Sequence, residues 1–525
     1  MGTSRARDLP DAASGGGATT PLSTPDLGIR ETTGPAGNIR ASRTAWAVLV
    51  LVIGAVAVGA RAYLLRYARL TGEGTYDDGV HFAGSLALVM GRLPYRDFLF
   101  LHPPMILLAL APFAGLAQVT SEGFAFSAAR VAWMLLGAFN AIAVARLLRP
   151  LGLLSAVVGG LAYALYFPAA YAESTTMLEG LANTFLLASL LLLTRGRSRA
   201  RLVWAGVLLG LVPAVKIWGI VLVLIVLGWV WVRRGWRPFL AVSLAAAGSC
   251  AAVLAPFFAA APEQMWKMVV KAQLGRPDVT NQPIEERVWE MLGLFGAPPS
   301  TQLAWGVAAV AISVAAVALW RARAFELTWL AVALLLATVG MLLVTPSFYT
   351  HYPAVMAVPF ATTMGSMVTL APRRGRRLRW AGALALLPVV IAWGTAQDLH
   401  DAQSYTGQDI RFAALAGAVE VPGCVTSDDP GPLIELNVFG RNLRRGCPLW
   451  IDLTGHYYTD DIGAGLSRPK NPVFQQSAMG YLSSGEVAIV GRQPPLYYLD
   501  AANRRIVRSW PVLATSGFYQ ARQVS

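Results

Sequence analysis

Long apolar runs separated by short arginine-bearing connections organise most of this 525-residue chain. Runs near 45–66, 128–147, 152–170, 177–194, 202–215, 217–232, 239–259, 303–320, 325–345, 352–371 and 380–396 are read as membrane-spanning helices. Each approaches the roughly 20 apolar residues that a hydrocarbon core calls for, so the pattern predicts about 11 spans. A further apolar stretch, Pro103 to Val119, is shorter and broken by prolines. Beyond about residue 397 the pattern shortens to strand-like runs between turn residues: CVTSD at 424–428, LWIDL at 449–453, EVAIVG at 486–491 and RIVRSWPVL at 505–513. Helices are predicted from Asp429-Pro430, where Asp caps and Pro fits the first turn, and over Val473 to Ser483.

Composition agrees with a multi-span α-helical membrane protein carrying a small α/β domain. Only 14% of residues are charged and 55% are hydrophobic, whereas soluble domains carry roughly 25% charged residues. Residues 1–43 are rich in Gly, Pro, Ser and Thr and lack an apolar signal-peptide core, which reads as a disordered cytoplasmic tail. The expected organisation is that tail, a transmembrane domain over 44–396 with a large outer loop at 68–127, and an extracytoplasmic α/β domain over 397–525.

The net charge of +14, from 39 Arg and 4 Lys against 29 acids, points to topology and not to nucleic acid. Five short connections are basic and free of acids: Arg146 to Arg149, RGRSRAR at 195–201, RRGWR at 233–237, RAR at 321–323 and RRGRRLR at 373–379. All five share the cytoplasmic side with the N-terminus only if 103–119 lies in the interface or re-enters, and positive-inside bias therefore selects that reading. The C-terminus is then outside a plasma membrane. Cys424 and Cys447 both fall in the outer polar region and are candidates for a disulfide, which would require an oxidising compartment.

With that topology, many ionisable groups fall on the outer face, where a membrane surface makes such groups functional candidates. GTYDDGVH (74–81) places Asp77 and Asp78 just after the first span. Tyr95, Asp97 and His102 belong to the same loop, Arg130 and Lys216 lie near outer ends of spans, Glu173 flanks an outer loop, and His351 sits in SFYTHYP. Carboxylates can take a proton from an acceptor hydroxyl while Arg, Lys and His hold a departing phosphate. Each also has a structural reading: Asp78 as a helix cap, Asp97 as a brace to Arg96 or Arg92, Arg130 and Lys216 as snorkelling cations. Asp428, Asp429, Asp452, Asp460 and Asp461 of the outer region could bind a cation or sugar, but caps and turns explain them more simply.

The run YDDGVHFAGSLALVMGRLPYRDFLFLHPPM (76–105) resembles the first outer loop of GT-C membrane glycosyltransferases, especially bacterial relatives of protein mannosyltransferases and of the lipid A aminoarabinose transferase. GLVPAVKIWG (210–219) and SFYTHYPAVMAVP (347–359) extend the resemblance. It implies transfer of a sugar from a polyprenyl phosphate to an extracytoplasmic glycan, lipid or protein acceptor, at a site embedded among membrane lipids. Asp77 or Asp78 would then be the general base, with Arg130, Lys216, His102 and His351 toward the donor phosphate and Tyr95, Asp97 and Glu173 toward substrate. His102 stands where some relatives have Lys. A divalent cation serves some branches of the family, and no residue here decides for or against one. The competing reading is a transporter or flippase of lipid-linked saccharides, but no internal repeat of halves supports it.

Overall fold

The computed structural model describes residues 43–66, 70–72, 74–196, 198–276, 280–294, 300–303, 305–306, 326–368, 410–458, 466–491 and 495–525, together with Gly2. The predicted spans 303–320 and 380–396 fall largely or wholly outside these residues, as do Asp460 and Asp461.

Ten helices lead the chain through its apolar part: α1 (Arg43–Leu64), α2 (Tyr76–Val89), α3 (Met105–Leu116), α4 (Glu122–Leu148), α5 (Leu153–Leu165), α6 (Phe167–Ser174), α7 (Leu178–Thr194), α8 (Arg199–Val215), α9 (Gly219–Arg234) and α10 (Trp236–Ala260). Glu326–Val344 and Ala357–Met367 form two more. Among the described residues, α1, α10, Glu326–Val344 and α4 with its extension to Leu151 are long and apolar enough to cross a membrane. The bent pair α5–α6, broken by 56°, makes a possible fifth. The runs read as spans at 177–194, 202–215 and 217–232 fold as α7, α8 and α9, of 17, 17 and 16 residues. The described helices therefore do not by themselves make up the expected eleven spans. Helix α3, within the proline-broken stretch 103–119, has 12 residues. That is about 18 Å of helix, too short for a hydrocarbon core of roughly 30 Å.

Helix α4 runs through the interior, with 61% of its most apolar window buried, whereas α1 (17%) and α10 (11%) present most of theirs outward. Outward Leu, Val and Trp side chains on α1 and α10 are what a lipid-facing helix carries. Helix α8 meets α10 through Gly206 and Gly210, one turn apart, where an added Cβ would run into the backbone carbonyls of Val242 and Ala246. Small residues at this spacing let two backbones approach closely in lipid. Ser249 Oγ fastens the contact by donating to the Val207 carbonyl at 2.8 Å.

The C-terminal part carries a four-stranded sheet in the order β1 (Val425–Ser427), β2 (Val487–Val490), β4 (Tyr519–Gln523), β3 (Val512–Ser516). β1 and β2 are parallel, and the other two pairings are antiparallel. Short helices accompany it at Pro430–Glu435, Phe439–Arg445, Pro472–Leu482 and Ala501–Ser509. Two expected strands differ. LWIDL at 449–453 is an irregular segment, and RIVRSWPVL splits into the end of a helix followed by β3. The helix wins because Asp500 caps it, accepting from the Asn503 amide at 2.7 Å, and because Val507 turns inward while Arg505 and Arg508 stay exposed. Cys424 and Cys447 form a disulfide between β1 and the end of Phe439–Arg445.

Candidate active site

A recess opens where the first turn of α2, the loop before α3, Arg276, Thr280, the segment 349–352 and the C-terminal part of the chain converge. Helix α2 begins at Tyr76, so Asp77 and Asp78 are its second and third residues. Successive helical residues point about 100° apart, and the two carboxylates diverge. Asp77 lines the recess and its side chain is 40% exposed. Asp78 is fully buried and turns the other way. It receives Arg130 Nε at 2.8 Å, the Thr176 amide at 2.9 Å and Thr176 Oγ1 at 2.6 Å.

Arg130 is consumed by the same cluster. Its Nη1 donates to the carbonyls of Leu70 (2.7 Å) and Gly72 (3.0 Å), and Glu435 approaches at 3.8 Å. Only 2% of its side chain is exposed, so it ties the 70–72 loop, α2 and the C-terminal helix Pro430–Glu435 together and has no free face for a phosphate. Glu173 is likewise enclosed. It accepts from Arg61 Nε (3.0 Å), Asn140 Nδ2 (2.8 Å) and Tyr163 OH (2.6 Å) and lies outside the recess lining. Tyr95 is buried with its hydroxyl on the His102 carbonyl at 2.6 Å. Asp97 pairs with Arg96 at 2.9 Å and accepts from the Leu93 amide. Neither lines the recess.

His102 and His351 do line it. His351 Nε2 stands 3.8 Å from Asp77 Oδ2 and 4.0 Å from Glu179 Oε1. Burial lowers the His351 pKa below its ordinary value despite the opposing pull of Glu179, and burial lowers that of His102 further, with Lys216 and His81 adding repulsion. Both rings are therefore neutral hydrogen-bonding groups at pH 7. Lys216 ends α8, is ion-paired with Glu179, and stands 4.1 Å from the centre of the Tyr352 ring. His81 Nδ1 lies 2.9 Å from the Thr176 carbonyl, which can only accept, so this nitrogen carries a hydrogen.

Arg276 and Arg468 line the recess and were not singled out in the sequence; Arg276 stands nearer the chemistry. It follows Lys267 and Lys271 in the connection after α10, and no motif around it sets it apart from them. Its Nη1 donates to Tyr352 OH at 2.8 Å and its guanidinium lies 4.1 Å over the Tyr458 ring. Burial works against its charge, but the oxygens of Tyr352, Tyr458, Tyr349 and Asp77 hold its pKa above the ordinary arginine value. Tyr76, Asp452, Tyr458, Arg468 and Tyr497 complete a polar and aromatic wall. Asp428 and Asp429, by contrast, are internal acceptors: Asp428 takes Tyr498 OH at 2.9 Å, and Asp429 takes Tyr519 OH at 2.8 Å and the Gly431 amide at 2.7 Å. Among the described residues, no group of three or more His, Cys, Asp or Glu side chains converges as a metal site would.

Residues 100–346 match glycosyltransferase family 87. No curated protein sequence matches the chain. In fold it is similar to ArnT from Cupriavidus metallidurans in the apo state, with a TM-score of 0.57 at 15% identity over 92% of this chain and 98% of that one. The same protein bound to undecaprenyl phosphate gives 0.55 at 14% identity, over 92% and 99%. The archaeal oligosaccharyltransferase AglB from Archaeoglobus fulgidus, in complex with an inhibitory peptide and a dolichol-phosphate, gives 0.52 at 11% identity, over 85% of this chain and 69% of that one. The chain is thus similar to a glycosyltransferase family over residues 100–346 and shares the fold of ArnT and AglB over most of its length.

Proposed function

We propose that the chain transfers a sugar from a polyprenyl-phosphate donor to a hydroxyl of a glycan, lipid or protein acceptor at the extracytoplasmic face of the plasma membrane, with Asp77 as general base. The observation that carries this reading is the placing of Asp77 and Arg276 in one recess, close enough that the carboxylate bears on the guanidinium's charge. A displacement at a sugar–phosphate bond needs both. The acceptor oxygen bonds to the anomeric carbon and its proton passes to Asp77. The bond from that carbon to the phosphate oxygen breaks, leaving its electron pair on the phosphate. Arg276 and Lys216, with His102 and His351 as hydrogen-bond donors, meet the charge that grows there. A polyprenyl-phosphate donor accords with the undecaprenyl phosphate of the ArnT structure and the dolichol-phosphate of the AglB structure.

The test supplies membranes with radiolabelled polyprenyl-phosphate mannose, arabinofuranose, glucose or galactose and follows label into acceptor. Wild type is expected to use one of these. Asp77→Asn should lower kcat by about 10²–10⁴ at normal membrane abundance. Full activity in Asp77→Asn overturns the assignment of the base. Label carried across the membrane without transfer would favour the transport reading instead.

A further inference from the structure

The recess is closed on its outer side by one turn of the C-terminal domain, and that turn grips both chemical ends of the site. Asp452 Oδ1 accepts from Tyr76 OH at 2.8 Å, and the Thr454 amide donates back to Tyr76 OH at 3.4 Å. Tyr76 is the residue immediately before Asp77 and the first of α2. Asp452 Oδ1 also accepts from the Gly455 amide at 2.7 Å, which folds the turn on itself. Gly455 leaves room for this contact, since an added Cβ would push the Asp452 carboxylate out of place. A short 3-10 segment, Gly455–Tyr458, follows directly. It delivers the Tyr458 ring beneath Arg276 at 4.1 Å and its hydroxyl 3.3 Å from Tyr349 OH. Arg468 donates to that hydroxyl from behind at 3.1 Å.

We propose that the turn Asp452–Tyr458 is the positioning element of the active site: Asp452 orients Asp77 through Tyr76, and Tyr458 orients Arg276. The inference rests on the roles given above to Asp77 and Arg276. Its physical basis is that an acid–base step and a phosphate clamp must be held in register with each other, and a misplacement near 1 Å costs about two orders of magnitude in rate. On its buried side the first turn of α2 is held through Asp78 by Arg130 and Thr176. On the side of the recess the hydrogen bond from Tyr76 to Asp452 adds a second tie, from a segment 376 residues away in the chain.

Two ends of one turn then predict two different kinetic signatures. Asp452→Asn and Tyr76→Phe should each lower kcat by about one order of magnitude or more while leaving the KM for donor near wild type. The double variant should be no worse than either single. Tyr458→Leu should instead raise donor KM. Kinetics are measured on the full-length protein with the lipid-phosphate sugar that wild type accepts, beside Asp77→Asn. A wild type that transfers while Asp77→Asn does not leaves the base assignment standing, and the variants then decide this inference alone. Additive losses for Asp452→Asn and Tyr76→Phe, or kcat and KM moving together in all three variants, would overturn it. Amide hydrogen exchange on purified protein gives a readout free of turnover. Asp452→Asn should deprotect the first turn of α2 and leave α4 and α7 unchanged. Unchanged exchange over 74–82 would likewise overturn the proposal.

Discussion

Asp77 and Asp78 are chemically identical neighbours with opposite surroundings, and the rotation of one helical residue separates them. Asp78 is one half of a fully enclosed pair with Arg130. Removing one partner of such a pair leaves the other buried and uncompensated, at about 3–5 kcal/mol. Asp78→Ala is therefore expected to reduce the yield and melting temperature of purified protein, whereas Asp77→Asn should melt like wild type and lack transfer. Equal melting of the two variants would contradict the structural role of Asp78. Arg276→Gln should raise donor KM at unchanged fold, because its guanidinium lines the recess; an unchanged KM would remove it from the phosphate site. The sequence makes Asp77, His102, His351 and Lys216 legible as candidates by residue type, and the first three line the recess. What it could not show was which side of a helix each group takes. Arg130 reads as an available cation until the carbonyls of Leu70 and Gly72, some 60 positions back in the chain, are seen to saturate it. Arg276 was obscure for a related reason, and Asp452 read most simply as a cap or turn residue. Each acquires meaning only from partners remote in the chain.

At the scale of elements, the helix Pro430–Glu435 of the C-terminal part packs on both α2 and α4, and it brings Glu435 against Arg130 and Asp78. Burial raises the Glu435 pKa to about 8, with Asp78 adding to the shift and Arg130 opposing it. The folded protein thus holds a proton on Glu435 that the unfolded chain releases near the ordinary value of 4.5. Stability from this group is complete below that ordinary value, declines as pH rises, and is lost once pH passes about 8. Melting temperature should accordingly fall between pH 5 and 9 in wild type, and Glu435→Gln should flatten that decline. An equal slope in the variant would show that the docked carboxyl is not the titrating group. The apolar elements were the easiest to anticipate, since α1, α4 and α10 are long runs in which almost any placement buries or lipidates the same residues. The C-terminal sheet was harder. Its strands have three to five residues, so two or three side chains decide each one. Ala501–Ser509 shows that an Asp cap and a helical stripe outweigh the β-branched residues within it.

For the whole molecule, the proposed orientation joins three otherwise separate observations. The acid-free arginine clusters between apolar runs belong on one side by positive-inside bias. The disulfide between Cys424 and Cys447 belongs in an oxidising compartment. The recess is walled jointly by membrane-proximal loops and by the domain carrying that disulfide. If that domain faces the cell exterior, a lipid-borne sugar and its acceptor meet between the two without either crossing the bilayer. This makes the third cysteine an internal control, because Cys250 lies within α10 and is not disulfide-bonded. In intact cells treated with a membrane-impermeant reductant and then a membrane-impermeant maleimide, Cys424 and Cys447 should be labelled and Cys250 should not. Without the reductant, none of the three should react. Labelling of Cys424 and Cys447 only after the cells are permeabilised would put the recess on the cytoplasmic side. The donor would then have to be used on that face, and the arginine clusters would lie outside against their bias. The opposite result ties the catalytic face, the disulfide and the charge pattern to a single direction of insertion.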